Sequence, residues 1–394
     1  MQQLLPTVFI RDSKNRDRQW SVWTEGDTVV SESGLVGGKL KQQRSKSKAK
    51  NVGKSNETTP EEQAVLESKS KHRAKVKLDD YNVDIELSGL KLRAQLALDF
   101  KKVPHRVNWD DTVGQAKLDG LRLTVGNKLW PNGFTPGDFQ MLSRKGEVYN
   151  VEHLVEASDQ LLRSVNKLCN NRCLALDGEV YLHGLPLQRI FSRAEVYKPG
   201  LTEELEFHLF DLIILGMPFS ERYRLLNKAY EEYNYSENNF HLVGCISIPN
   251  EESMRRAHME LTGQGFEGII IRHLSGEYTM GKRSAHMFKY KIFYDNEFKI
   301  VDMWPDKNGN AMLTCEIPEG FKFAYKSYIA QETSTFNCTP KRTHKERKVM
   351  LTAPEEWVGK WITCKYQDVT EDGMPSFAVG LAKRKCNSQG KPLV

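Results

Sequence analysis

Hydrophobic and polar positions change their period several times along this chain of 394 residues. Near the N-terminus, Gln19-Trp20-Ser21-Val22-Trp23 alternates, the pattern of a half-buried strand. A Gly-rich turn, Gly34-Leu35-Val36-Gly37-Gly38, comes next. Thr59-Pro60-Glu61-Glu62 then reads as a helix start, with a capping hydroxyl and proline at the first helical position. The helix is predicted to run through Ala64, Val65 and Leu66 towards Ala74. Residues 1 to about 85 therefore read as a small α+β module.

Residues 90–292 are richer in strands. Thr112–Val125 and Leu174–Leu182 are apolar-alternating stretches, each interrupted by Asp-Gly, and each predicts a hairpin. Leu209–Leu215 is nearly continuous in apolar residues around one acid, as in a buried strand. Val151, Leu154, Val155, Leu161, Leu162, Val165 and Leu168 recur at helical spacing. Asn250 before Glu251-Glu252 caps another predicted helix, which stops near Gly263. Residues 293–394 return to strands: Glu297–Trp304, Ala311–Ile317, Trp361–Tyr366 and Phe377–Leu381. They predict a small β-barrel, with Lys322–Glu356 as a polar, basic stretch that includes an extended loop.

Composition narrows the class. No apolar run could span a bilayer and no secretory n-region is present, which points to a soluble intracellular protein. Seven cysteines are an odd number; Cys169 and Cys173 are close, but no second Cys or His pair stands at zinc spacing, so reduced thiols are expected. The net charge of +6 is mild, but its distribution is uneven. Lys39, Lys41, Arg44, Lys46, Lys48, Lys50 and Lys54 succeed one another with no acid among them. A second run, Lys341, Arg342, His344, Lys345, Arg347 and Lys348, is broken only by Glu346. Both read either as solvated loops or as loops contacting phosphate.

The sharpest motif is Lys117-Leu118-Asp119-Gly120-Leu121-Arg122. It puts a lysine at a strand end, beside a tight turn, with an arginine opening the next strand. A nearby guanidinium favours the neutral, nucleophilic amine and binds phosphate. A surface hairpin with two ordinary basic residues fits the same letters. Three further segments follow it in order, and the order carries the weight: Ser143-Arg144-Lys145-Gly146 just before a helix, Leu176-Asp177-Gly178-Glu179 with a carboxylate after the turn, and Phe207-His208-Leu209-Phe210-Asp211. Glu267-Gly268-Ile269-Ile270-Ile271-Arg272 then opens a strand with a carboxylate. In Phe288-Lys289-Tyr290-Lys291-Ile292, period two puts Lys289 and Lys291 on one face and the apolar residues on the other. Taken singly, Phe210 reads as core and Glu179 and Glu267 as exposed acids.

Together, in this order, the motifs resemble those of the covalent nucleotidyltransferase superfamily of ATP-dependent DNA ligases, RNA ligases and mRNA capping enzymes. Gly359-Lys360-Trp361 to Asp372-Gly373-Met374-Pro375 is similar to the tail of the oligonucleotide-binding barrel of DNA ligases. The resemblance implies an α+β fold: an adenylation domain over 90–292 with ATP-grasp-like antiparallel sheets and helices, then an OB-fold over 293–394. It further implies that Lys117 attacks the α-phosphorus of ATP and carries AMP. Gln115, Ala116, Arg122, Arg144, Glu179, Phe210, Lys289 and Lys291 would bind the nucleotide, Phe210 stacking on adenine. Glu179 and Glu267 would hold Mg²⁺ or another divalent cation. Nicked duplex DNA is the implied partner of a small phage- or virus-type ligase, a monomer in the cytoplasm of a bacterial or phage-infected host.

The chain departs from the family pattern in two places. Gln115 stands where DNA ligases usually carry glutamate, and Ser376 stands where arginine is common in the last motif, with Lys383-Arg384-Lys385 supplying charge slightly later. Residues 1–85 loosely resemble the WGR domain of DNA-end-sensing proteins, with Ser33-Gly34-Leu35-Val36-Gly37 in place of the namesake tripeptide. An RNA ligase or a GTP-dependent capping enzyme is the alternative. The ligase-like Ser-Arg-Lys-Gly element weighs against a capping enzyme, and the terminal barrel weighs against an RNA ligase. A catalytically dead DNA-end-binding protein would not keep Lys117 and both carboxylates.

Overall fold

The alternation around Trp20 becomes a strand whose Trp20, Val22 and Thr24 are buried while the residues between them are not. In the computed structural model this strand belongs to the first of two compact units, Met1–Tyr290 and Lys291–Val394. The structure describes residues 5–12, 14, 16–88, 92–130, 133–232, 239–321, 323, 334–369, 373–387 and 392.

The N-terminal elements are β1 (Val8–Arg11), β2 (Asp17–Glu25), β3 (Thr28–Leu35), β4 (Lys41–Lys46) and α1 (Pro60–Leu78). The strands form an antiparallel meander in sequence order. Helix α1 lays Ala64 against Val8, Trp20, Val22 and Val29. It starts where predicted, with Thr59 accepting from the Glu62 backbone and Glu62 reaching back to Thr59, and runs a turn beyond Ala74. The first basic run departs from expectation. Lys41–Lys46 is an exposed edge strand and not a loop, and acids distant in sequence meet it: Glu25 pairs with Arg44, Asp27 with Lys46 and Glu67 with Lys50.

The remainder of the first unit begins with β5 (Leu96–Asp99), β6 (Thr112–Lys117), β7 (Leu121–Trp130), β8 (Gly133–Ser143) and α2 (Val155–Leu168). It continues through β9 (Ala175–Tyr181), α3 (Leu187–Glu195), β10 (Glu206–Ile213), α4 (Phe219–Glu232), β11 (Phe240–Leu242) and β12 (Cys245–Ser247). It closes with α5 (Glu251–Gly263), β13 (Gly268–His273) and β14 (Arg283–Tyr290). Two five-stranded sheets result, ordered β11-β10-β9-β7-β8 and β12-β6-β13-β14-β5. Leu161, Leu162 and Val165 of α2 and Leu225 and Leu226 of α4 share a core with Leu123, Phe207 and Leu209 of the first sheet. Met254, Ala257 and Leu261 of α5 pack with Ile269, Ile271 and Phe288 of the second. Asn250 caps α5 as predicted.

Neither Asp-Gly pair makes a hairpin. Asp119-Gly120 lies where the chain leaves β6 in one sheet and enters β7 in the other. A side chain at Gly120 would collide with the Val180 carbonyl oxygen, so glycine permits the crossing. Asp177-Gly178 sits inside β9 with no turn, and a Cβ at Gly178 would meet the His208 carbonyl oxygen at 2.5 Å. The helix expected just after Ser143-Arg144-Lys145-Gly146 is also displaced. That segment is a tight turn closed by Gly146 N–H donating to the Ser143 carbonyl at 2.8 Å, and α2 starts at Val155.

The second unit holds β15 (Tyr294–Pro305), β16 (Ala311–Glu316), β17 (Thr335–Pro340), α6 (His344–Met350) and β18 (Trp361–Tyr366). A short pair, β19 (Asp368–Val369) and β20 (Pro375–Ser376), precedes β21 (Val379–Lys383). The strands β15-β16-β17-β21-β18 close into a barrel around Phe298, Leu313, Phe336, Ile362 and Tyr366. The expected strand at Phe377 starts later, because Phe377 adopts a φ of 53° that a strand excludes. The stretch Lys322–Glu356, expected to include an extended loop, contains β17 and the capped helix α6; residues 322 and 324–333, like Asp372, lie outside the described residues. Arg347 of the second basic run is buried there, donating to the Ala311 carbonyl at 2.9 Å.

Candidate active site

Strand register aims the predicted residues. Gln115 lies opposite Ile270 and Lys117 opposite Gly268, while Ile270 also faces Lys289 and Arg272 faces Met287. Directly opposed residues share a sheet face, so these side chains crowd one surface. The intervening Ile269, Ile271 and Phe288 enter the core behind it. On the other sheet, Arg122 opposes Glu179, and Phe210 stands at a bulge between Leu209 and Asp211. A cleft results, lined by Gln95, Gln115, Ala116, Lys117, Arg122, Arg144, Glu179, Phe210, Arg272, Arg283, Met287 and Lys289, among others.

Lys117 ion-pairs with Glu267, and the Glu267 backbone N–H donates to the Lys117 carbonyl at 2.9 Å. Arg122 forms a forked pair with fully buried Asp177 at 2.6 and 2.5 Å, and Tyr278 donates its hydroxyl to the same carboxylate at 2.6 Å. Burial works against the charge of Arg122, and Asp177 overcomes it, holding the guanidinium charged. The guanidinium carbon lies 4.7 Å from the centre of the Phe210 ring, and that of Arg272 lies 5.4 Å away. Arg272 is itself held by Asp211 at 2.7 Å, whose other oxygen takes Arg222 at 2.8 Å. These buried pairs fix cations at the cleft wall with little freedom to move.

Glu179 behaves differently. Burial pushes its carboxyl up to about 7, against the pull of Arg122 and Lys117, with Asp177 and Asp119 adding to the rise. A desolvated carboxylate of this kind gains from a hard cation, so the oxygens of Glu179 and Glu267 suit Mg²⁺ or a similar ion. Gln115 donates its amide to the carbonyls of Phe210 at 3.4 Å and Val243 at 3.2 Å. Its Oε1 is buried and has no hydrogen-bond partner among the described residues. An unpaired acceptor next to an aromatic ring fits an incoming group that carries N–H donors, as an adenine amino group does. Six lining side chains, Lys117, Arg122, Arg144, Arg272, Arg283 and Lys289, are cationic against the single lining carboxylate of Glu179, which fits a polyphosphate.

The cleft thus gathers Gln115, Ala116, Lys117, Arg122, Arg144, Glu179, Phe210 and Lys289, with Glu267 joined through Lys117. Lys291 departs from expectation. Strand β14 ends at Tyr290, so the two-residue alternation with Lys289 stops, and Lys291 opens the second unit, where its ammonium bonds Gln367. Sequence reading missed Gln95, Asp177, Arg272, Arg283 and Tyr278. Arg272 was within reach, since alternation from Gly268 through Ile270 puts it on the lysine-bearing face. Gln95 and Tyr278 carry no such local signal.

The chain is 27% identical over 287 residues to a DNA ligase of African swine fever virus (isolate Tick/South Africa/Pretoriuskop Pr4/1996), covering 70% of this chain and 64% of that protein. It is 26% identical over 222 residues to a DNA ligase of Nanoarchaeum equitans, covering 52% of this chain and 36% of that protein. The chain therefore spans less than two thirds of the length of either relative. A solved structure from a study of Lig E DNA ligases superposes with a TM-score of 0.55 at 22% identity, covering 74% of this chain and 99% of that one. It shares the fold: a nucleotidyltransferase domain followed by an OB-fold barrel. Residues 92–291, just over half the chain, match the family described as the ATP dependent DNA ligase domain, and the chain belongs to that family.

Proposed function

We propose that this protein is an ATP-dependent DNA ligase that seals nicks between a 5′-phosphate and a 3′-hydroxyl in duplex DNA. The observation that carries the reading is Lys117: a lysine at the end of β6, inside a cationic cleft, paired with a carboxylate and facing a second one. Lys117 first loses its ammonium proton; the amine then attacks the α-phosphorus of ATP, an N–P bond forms as the bond from that phosphorus to the oxygen bridging to the β-phosphate breaks, the nitrogen gives a second proton to water, and pyrophosphate leaves. AMP then passes to the 5′-phosphate of the nick, and the 3′-hydroxyl displaces it to close the strand. Such transfers are governed by positioning and by neutralisation of phosphate charge. Arg122, Arg144 and Lys289 supply cations for this neutralisation, while Phe210 and Gln115 select the base. Glu179 and Glu267 would hold a divalent cation, which when bound supplies further neutralisation of phosphate charge.

The division into an N-terminal module over 1–85, an adenylation domain over 90–292 and a barrel domain over 293–394 belongs to this reading. So do a monomeric, intracellular enzyme and a DNA-contacting role for the first module. Incubation with α-labelled ATP, GTP or NAD, followed by acid denaturation, tests it. Acid-resistant label from ATP alone, chased onto nicked DNA with release of AMP, is expected. Label from GTP, or transfer only to RNA ends, would replace the DNA-ligase reading with the capping or RNA-ligase one.

A further inference from the structure

Two histidines and a glutamate converge on the strand pair at the edge of the first sheet, with His208 opposite Glu179 in the register. Glu206 and His208 are two residues apart on β10 and so share a face. Strand β11 runs parallel beside β10 with His241 in register with His208, which brings a second imidazole onto that face. The two rings stack with centroids 4.7 Å apart. One Glu206 oxygen lies 2.8 Å from His208 Nε2 and the other 3.4 Å from His241 Nε2. All three donor atoms lie within 4.8 Å of one another.

We propose that Glu206, His208 and His241 form a binding site for a zinc ion that bridges β10 and β11. Imidazole nitrogen and carboxylate oxygen bind zinc at about 2.0–2.2 Å, which sets neighbouring ligands of a tetrahedral shell about 3.3 Å apart. The observed 2.8 and 3.4 Å separations run to different Glu206 oxygens, so a rotation of that carboxylate brings one oxygen between the two imidazoles to close the shell. The side chains are 25%, 15% and 39% exposed, in the order Glu206, His208, His241, so solvent reaches the fourth position. Any Nε2 proton leaves to solvent as the metal takes its place. Imidazole donors favour zinc over magnesium, which prefers an all-oxygen shell, so this site and the carboxylates of the cleft would take different ions.

The position gives the site a consequence. Strand β11 is three residues long and lies at the sheet edge. Next after it comes Val243, whose carbonyl, with that of Phe210, receives the Gln115 amide. A metal bridging the two strands pins the edge that carries both carbonyls. Among the described residues, a second cluster rich in soft donors is Cys315, Cys338 and Cys364, with sulfur separations of 3.8 and 4.0 Å from Cys315. It is fully buried in the barrel and offers no open face.

The test is a titration of chelator-stripped full-length protein with Zn²⁺ in excess Mg²⁺. One equivalent should bind and raise the melting temperature. Replacing a direct ligand, by His208→Gln or His241→Gln, should weaken binding by more than about 100-fold, beyond the loss usual for outer-shell partners. Glu206→Gln, which keeps shape and hydrogen bonding, should do the same. Without any substitution, zinc should shift the ring-nitrogen resonances of two histidines, and Co²⁺ should give weak visible bands with no thiolate charge-transfer band. Unchanged stoichiometry in the variants, a thiolate band, or no binding to the native protein would each overturn the proposal.

Discussion

Lys117 and Glu267 are joined twice: ammonium to carboxylate through their side chains, and carbonyl to N–H through their backbones at 2.9 Å. The second bond holds the strand ends together and so presents the first. Lys117→Ala should abolish labelling by ATP and the sealing of ordinary nicks, yet leave slow sealing of a pre-adenylated nick, which needs no amine nucleophile. Glu267→Gln, which keeps the backbone bond, should retain the fold and lower self-adenylation. Undiminished label on the Lys117→Ala protein would sink the mechanism.

Phe210 is almost buried and packed beside Arg122 and Arg272, so its removal has two costs. Phe210→Ala should weaken ATP binding by about 1–3 kcal/mol through loss of stacking. It should also destabilise the domain, by up to about 3–5 kcal/mol if the ring is fully packed. Calorimetric ATP titration below the melting temperature separates the effects. A variant that binds ATP normally but melts early would assign the ring to the core alone.

Asp177 is fully buried and is the forked partner of Arg122. Asp177→Asn leaves that guanidinium without its countercharge, and breaking such a pair costs about 3–5 kcal/mol. Urea unfolding should show this loss. A change below about 1 kcal/mol would mean that water or Glu179 takes over the role.

Glu179 sets a pH dependence of stability. Its folded carboxyl titrates near 7 against an ordinary value of 4.5, so the folded state holds the proton more tightly. That contribution is complete below the unfolded value and is lost as pH rises through the folded one. Without nucleotide or divalent cations, native protein should therefore lose stability relative to Glu179→Gln from about pH 5 to pH 8, by up to about 3 kcal/mol. Parallel melting curves across that range would refute it.

The basic strand should contribute less to DNA binding than its sequence implies. Arg44, Lys46 and Lys50 already meet Glu25, Asp27 and Glu67, whereas Lys39, Lys41 and Lys48 have no ion pair among the described residues. Replacing these three by glutamine should lower the slope of log affinity against log salt by about 0.9 for each phosphate no longer neutralised. Self-adenylation should not change. An equal effect from replacing Arg44, Lys46 and Lys50 would show that their acids yield to DNA.

By itself the sequence determined whatever depends on near neighbours and on motif order. The capped starts of α1 and α5 were legible because capping acts across three residues, as Thr59 to Glu62 and Asn250 to Ser253 show. Lys289 and Phe288 were assigned to opposite faces by a period of two. The order from Gln115 to Lys289 named half of the residues lining the cleft. Tertiary structure decided which strands pair. Asp-Gly looks the same whether it turns a hairpin, crosses between sheets at Gly120 or lies within β9 at Gly178, and only the close approach of Val180 and His208 settles it. It also decided which charges are paired, because Arg122 and Arg44 meet acids 55 and 19 residues away. His208 and His241 meet because β10 and β11 run in parallel register. No local periodicity encodes that encounter, since it arises from burying the sheet against its helices.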